Sequence, residues 1–405
     1  MSTPWTPDPS GAVLGRRGSL FPDLEPFAYL AHAGISPPST EVRRAVEAVL
    51  ASYARRGIDA VGDWMPQRAR LRERLARLLG VRPEDVAFVA NTTTSVIATA
   101  QSIPWRRGDR ILCFRGEFPT NVTPWQQAAA LYGLDVRFLD AEALATDEGL
   151  AAVDRVLAEG VRLVAVSAVQ FQTGLRMPLE GLVDRAHAAG AEVFVDAIQA
   201  LGAVPLDAGR LGVDYLGCGS HKFLMGLEGV GFLYVRPDRQ EAFVPRLAGW
   251  LSHEEPVAFL FEPGRLRYDR PLRPAPGVLE AGAPNVVGLA ALEASIALIE
   301  RLGVEAIHGH IQRYLDALEP PLVGLGFRSR RRADPSRRGA TLSLEPPEGL
   351  AARDLRAALA RRRVTVSIPE GLLRFAPQWP NSLDEVPRVV EAVEEARAEA
   401  RGARR

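Results

Sequence analysis

The 405-residue chain carries 49 basic and 49 acidic residues and is 47% apolar. A net charge of zero leaves no electrostatic ground for nucleic-acid or membrane-surface binding, and the apolar share excludes a disordered chain. Of the 49 basic residues, 48 are Arg, and the one Lys is Lys222.

In chain order, the first 25 or so residues are rich in Pro, Gly and Ser and read as an extended arm. The start shows no basic and apolar signal pattern, and no apolar run reaches the roughly 18 residues of a membrane span. Cys113 and Cys218 have neither metal-ligand spacing nor a disulfide framework, so a protein of the reducing cytoplasm is expected. Helical spacing appears at 40–55 and 64–79. Short β-rich runs follow at 86–89, 110–114, 135–139, 162–169, 191–196, 213–217 and 230–235, with helical segments between most of them. Runs apolar on both faces that alternate with helices predict an α/β fold, a mainly parallel seven-stranded sheet between helix layers. Residues 245–284 hold many Pro and Gly with little periodicity and predict a long ordered loop. A long helix is expected at about 286–302. The rest reads as a smaller α+β unit: helices at 304–319, 349–362 and 382–400, strands at 340–344, 364–367 and 372–375. The Arg-rich run 330–338 reads as a solvated loop. The division expected is an arm at 1–30, a large domain at 31–284 and a small one at 285–405.

Arg and Lys are interchangeable on a solvated face, but only Lys can lose a proton and attack a carbonyl. Lys222 lies in Gly217-Cys-Gly-Ser-His221-Lys222, a Gly-rich turn at the end of a strand, where α/β sheets bind ligands. Such a turn can desolvate an amine and prepare it for Schiff-base formation. Asp196 ends the strand 191–196, and a buried carboxylate there needs a cation or donors. Gln199 follows it. Strand 86–89 runs into Asn91-Thr92-Thr93-Thr94-Ser95 and a helix, so hydroxyls and free N–H groups could hold a phosphate. Phe118, just beyond strand 110–114, could lie over a planar ligand. Each feature alone has a plainer reading: an ordinary N-cap for the Thr run, a cap on the next segment for Asp196, a chance survivor for Lys222. Together they form the set that a pyridoxal-phosphate site requires.

From about residue 27 to 400 the chain resembles the class V aminotransferase family of fold-type I pyridoxal-phosphate enzymes, which includes cysteine desulfurases, isopenicillin-N-epimerase-like proteins and kynureninases. The resemblance rests on Val195-Asp196-Ala-Ile-Gln199-Ala, Gly219-Ser-His221-Lys222 and Glu117-Phe118-Pro-Thr-Asn121-Val-Thr-Pro124-Trp125. Tyr29-Leu-Ala-His32-Ala-Gly34, Glu280-Ala-Gly282-Ala-Pro284-Asn285 and Leu373-Arg374-Phe-Ala-Pro377 with Asn381 support it. The resemblance implies a Schiff base between Lys222 and pyridoxal 5′-phosphate. It further implies Asp196 at the pyridinium nitrogen, Gln199 at the ring phenolate oxygen, Thr92 and Thr93 at the phosphate with help from His221, and Phe118 stacked on the ring. Arg374 would take the substrate carboxylate, His32 and Gly34 would face the substrate, and Trp250 and Ser252 would line the partner's site in a homodimer.

The chain also departs from the family's pattern. Desulfurases carry a nucleophilic Cys shortly before the carboxylate Arg, whereas Val366-Ser-Ile-Pro-Glu-Gly371 has none. Ala31, Ala283, Thr94 and Phe171 stand where the family commonly has Asn, Thr, Glu and Asn. The expected activity is therefore chemistry at Cα or Cβ of an amino acid, first transamination. C–S lyase β-elimination comes next, then epimerisation or kynureninase-like hydrolysis, then a non-catalytic binding protein. A nicotinamide-binding fold is disfavoured, because no Gly-x-Gly-x-x-Gly follows the first strand.

Overall fold

The structure, a computed structural model, describes residues 5–402. Seven strands form one sheet: β1 Val86–Val89, β2 Arg110–Arg115, β3 Asp135–Asp140, β4 Val161–Ser167, β5 Glu192–Asp196, β6 Tyr215–Gly219 and β7 Gly231–Val235. Their spatial order is β1-β7-β6-β5-β4-β2-β3. Only β7 runs antiparallel to its neighbours β1 and β6; the other pairings are parallel. Every residue of β5, β6 and β7 is buried, as expected of strands covered on both faces, while the edge strand β3 is half exposed along its length. Parallel pairing brings the carboxyl ends of β2, β4, β5 and β6 to one edge of the sheet, and Ser167, Asp196 and Gly217 lie side by side there.

Long helices α1 (Thr40–Arg56) and α2 (Val61–Leu79) precede the sheet, and α3 (Thr92–Ser102) follows β1 directly. Asn91 caps α3, its side chain accepting the N–H of Thr94. α3 lies so close to β6 that a Cβ on Gly217 would stand 1.9 Å from Ser95 Oγ, so the strand needs glycine there. The sheet's apolar faces join two clusters, one around Phe232, Val193 and Leu216 and the other around Phe194, Trp125 and Ile111.

The strand expected at 213–217 falls at Tyr215–Gly219. Gly and Cys carry little strand propensity, so hydrogen bonding to β5 and β7 sets its position. The helix from Val304 runs to Gly324, past the predicted stop at 319. Pro320 and Pro321 remove hydrogen bonds, but buried Leu318 and Leu322 anchor that turn to the core. The helix Val286–Leu302 packs through Val286, Ala290, Ala291 and Ala294 against Val42, Ala45 and Val49 of α1. Ala28–Tyr29 pairs with Val364–Thr365, joining the end of the arm to the C-terminal unit. In that unit Arg328–Ser329, Leu342–Glu345 and Leu373–Phe375 form a three-stranded antiparallel sheet. The loop 245–284 contains three short 3₁₀ turns and is pinned at Glu280, which accepts from Arg68, Arg72 and the N–H of Phe88.

Candidate active site

Lys222 leaves β6 in a turn held from several sides. Its carbonyl accepts Ser36 Oγ at 2.6 Å and the N–H of Met225 at 2.8 Å. Gln378 Nε2 donates to Phe223 O at 2.7 Å, and Ser295 Oγ donates to Leu224 O at 2.5 Å. A turn so bonded fixes the backbone from which the Lys222 side chain extends. Lys222 Nζ lies 5.4 Å from the centre of the Phe118 ring. Burial lowers the amine to about 8, with Arg374 pushing the same way and Asp196 opposing. Far more of it is therefore free near neutral pH than of a solvated lysine, as a nucleophile or base requires.

Asp196 is 3% exposed and accepts one backbone N–H, that of Ile198, at 3.0 Å. Burial raises its carboxyl to about 6, against the stabilising pull of that hydrogen bond and of Lys222. Such a carboxylate is under-compensated, and a cationic N–H from a bound ring would supply what it lacks. At the start of α3, Thr92 Oγ1 is buried without a hydrogen-bond partner, and Thr93 Oγ1 meets Thr120 Oγ1 at 2.8 Å. An orphaned hydroxyl beside free helix N–H groups suits a phosphate. Gln199 donates to Ala33 O at 3.0 Å, and its own Oε1 has no partner. The second N–H of its amide remains available to a phenolate oxygen. His221 is half-buried, and burial together with Lys222 lowers its pKa. The residues present thus fit pyridoxal phosphate at each of its polar ends.

Phe118 is 45% exposed and meets Phe171 edge-on, ring centres 5.2 Å apart at 84°. Arg374, 5% exposed, donates from Nε to Ser367 Oγ at 2.9 Å and from Nη1 to Phe171 O. Burial lowers its guanidinium to about 10, so it keeps its charge at neutral pH.

Other expected residues lie further back. His32 is 1% exposed and bonds Ser36 Oγ through Nδ1 at 2.7 Å, so it reaches Lys222 only through that hydroxyl. Burial holds its imidazole neutral, near 3. Gly34 donates its N–H to Ala31 O in the same turn. Ser252 is fully buried and donates to Val278 O within its own loop, whereas Trp250 is half exposed and meets Phe259. Sequence reasoning assigned no role to Glu117 or Ser36. Glu117 lies just past the strand Arg110–Arg115 and one residue before Phe118, and that position was its one signal in the sequence.

The family profile described as "Aminotransferase class-V" matches residues 28–371. This chain belongs to the class-V aminotransferase family of pyridoxal-phosphate-dependent enzymes. Over 390 residues it is 23% identical to a Bacillus subtilis (strain 168) protein named "Uncharacterized aminotransferase YcbU", covering 92% of this chain and 95% of that one. It is 31% identical over 297 residues to a cysteine desulfurase of Dickeya dadantii (strain 3937), covering 71% of this chain and 69% of the other. The apo structure of a cysteine desulfurase from Thermococcus onnurineus NA1 superposes with a TM-score of 0.82 at 25% identity, over 93% of this chain and 95% of that one. Relatives named for different activities thus match this chain, and no helix among the described residues is long and apolar enough to cross a membrane.

Proposed function

We propose that this member is an amino-acid aminotransferase. The observation that supports the reading is one buried constellation: Lys222 lowered to about 8, Asp196 raised to about 6 beside it, and Arg374 still charged close by. When bound, pyridoxal phosphate supplies an electron sink for charge developing at the substrate Cα. Arg374 holds the substrate α-carboxylate through its remaining N–H groups. Asp196 would keep a proton on the ring nitrogen, and Thr92, Thr93 and the α3 N–H groups would hold the phosphate. Lys222 would take the proton from the substrate Cα and deliver it to the cofactor's carbonyl-derived carbon, work suited to a group titrating near the working pH. Persulfide chemistry is disfavoured. Cys113 and Cys218 are both fully buried, and burial holds each thiol protonated well above its usual range. Two free buried thiols also fit a reducing cytoplasm.

The test is a panel of amino acids incubated singly with the purified protein. Transamination yields the pyridoxamine form and the matching keto acid. Pyruvate with ammonia and a thiol would replace this reading by β-elimination. Solvent deuterium at Cα with loss of chirality would replace it by epimerisation.

A homodimer goes with the reading. Leu260, Phe261, Leu266 and Tyr268 are 57%, 78%, 58% and 89% exposed within one loop, large apolar side chains that a partner subunit would cover. Sedimentation should give twice the chain mass, and Phe261→Asp with Tyr268→Asp should shift it toward the monomer. A wild-type protein that sediments at the chain mass sinks this part.

A further inference from the structure

Glu117 is a buried acid with no part in the chemistry above. It follows β2 and Gly116 and directly precedes Phe118. It is 9% exposed, and no arginine or lysine pairs with it among the described residues. Its carboxylate accepts the N–H of Ser167 at 2.7 Å and also Ser167 Oγ. Ser167 ends β4 and is paired with Asp196 across the sheet, where Ala168 N–H donates to Asp196 O at 2.8 Å. The neighbouring Gly116 carbonyl accepts Gln170 Nε2 at 2.6 Å, so the short segment bearing Phe118 is tied twice to the end of β4. Asn121, which faces the same carboxyl, accepts Trp125 Nε1 at 3.2 Å and anchors the far side of the turn.

A buried carboxyl without a cation is a costly way to fasten a loop, and such groups gather where a site needs them. We propose that Glu117 is a positioning residue for the cofactor ring, fixing the spacing between the Phe118 ring on one strand end and Asp196 on another. The proposal rests on the reading that the site binds pyridoxal phosphate. Burial, with Asp196 as a further cause, raises the Glu117 carboxyl to about 7, which marks the two acids as sharing one low-dielectric pocket.

The experiment compares wild type with Glu117→Ala, Glu117→Gln and Ser167→Ala, all purified free of cofactor. Pyridoxal phosphate affinity is measured by equilibrium dialysis, and ring orientation by the induced circular dichroism of the bound chromophore. Binding of inorganic phosphate is followed by thermal shift. Glu117→Ala should weaken pyridoxal phosphate about tenfold and flatten the dichroism while phosphate affinity holds. Glu117→Gln, which keeps an acceptor for the Ser167 N–H, should restore most of both. Should the alanine variant fail to fold, Ser167→Ala reads the same tie from the other strand, with an expected loss of about threefold. Wild-type affinity and dichroism in Glu117→Ala, or an equal fall in phosphate affinity, would overturn the proposal. So would a glutamine variant no better than alanine. A wild-type protein that binds phosphate but not pyridoxal phosphate removes the underlying reading instead, and is distinguished before any variant is made.

Discussion

Replacing Lys222 by alanine should stop turnover and leave the protein with no lysine amine at all. The expected loss in kcat is at least about 10³-fold, the scale of a positioned general base, with the loss of covalent attachment added to it. The composition makes the result unusually clean. Borohydride reduction with pyridoxal phosphate should add one label to the wild-type side chains and none to those of Lys222→Ala, read by peptide mapping that separates the N-terminal amine. The wild-type amine also has a predicted pH profile. Its pKa is lowered from 10.5 to about 8, so it is mostly protonated and unreactive well below pH 8 and mostly free above it. Reductive methylation of the cofactor-free protein should therefore rise through a midpoint near pH 8 and level off by about pH 9.5. A rate still climbing through pH 10 would show an ordinary solvated lysine and remove the case for a poised amine.

Arg374→Ala should cost about 30- to 5,000-fold in kcat/KM, the equivalent of about 2–5 kcal/mol for truncating a buried hydrogen-bonded charge. Arg374 is 5% exposed and holds Ser367 Oγ and Phe171 O, so part of the effect is local: two acceptors lose their donor. Thermal unfolding separates that part. The remainder should appear chiefly in KM if the carboxylate is held equally before and during reaction. Arg374→Lys should recover little, because an ammonium cannot reproduce the planar fork. A kcat/KM within threefold of wild type would place the substrate carboxylate elsewhere.

The strands around the site were largely legible before folding. The runs expected at 86–89, 110–114, 191–196 and 230–235 match the observed strands to within a residue, because strands buried on both faces read as unbroken apolar runs. β6 was displaced by two residues because Gly217-Cys218-Gly219 has no strand signal of its own and takes its register from β5 and β7. The helix running through Pro320 and Pro321 was hidden for a related reason, since the burial of Leu318 and Leu322 outweighs a local breaker. Among site residues, Lys222 and Asp196 were legible because residue type and strand-end position suffice to nominate them. The roles of Ser36, which clamps the Lys222 carbonyl, and of Glu117, which ties Phe118 to Ser167, depend on contacts far apart in sequence. The burial of His32 and Ser252 was likewise decided by what packs around them.

The sequence by itself determined which side chains can do chemistry here: a lone amine among 48 guanidiniums, an acid at the end of an apolar strand, hydroxyls at a helix start, and no thiol before the carboxylate arginine. Only the tertiary structure decided how those groups behave. Lys222 falls toward neutrality and Asp196 and Glu117 rise toward it because packing strips their water; Arg374 adds to the fall of Lys222 and Asp196 to the rise of Glu117, while the attraction between Lys222 and Asp196 opposes both of their shifts. Proton affinity is a property of the surrounding field, and that field is assembled from strands and turns that meet only when the chain is folded.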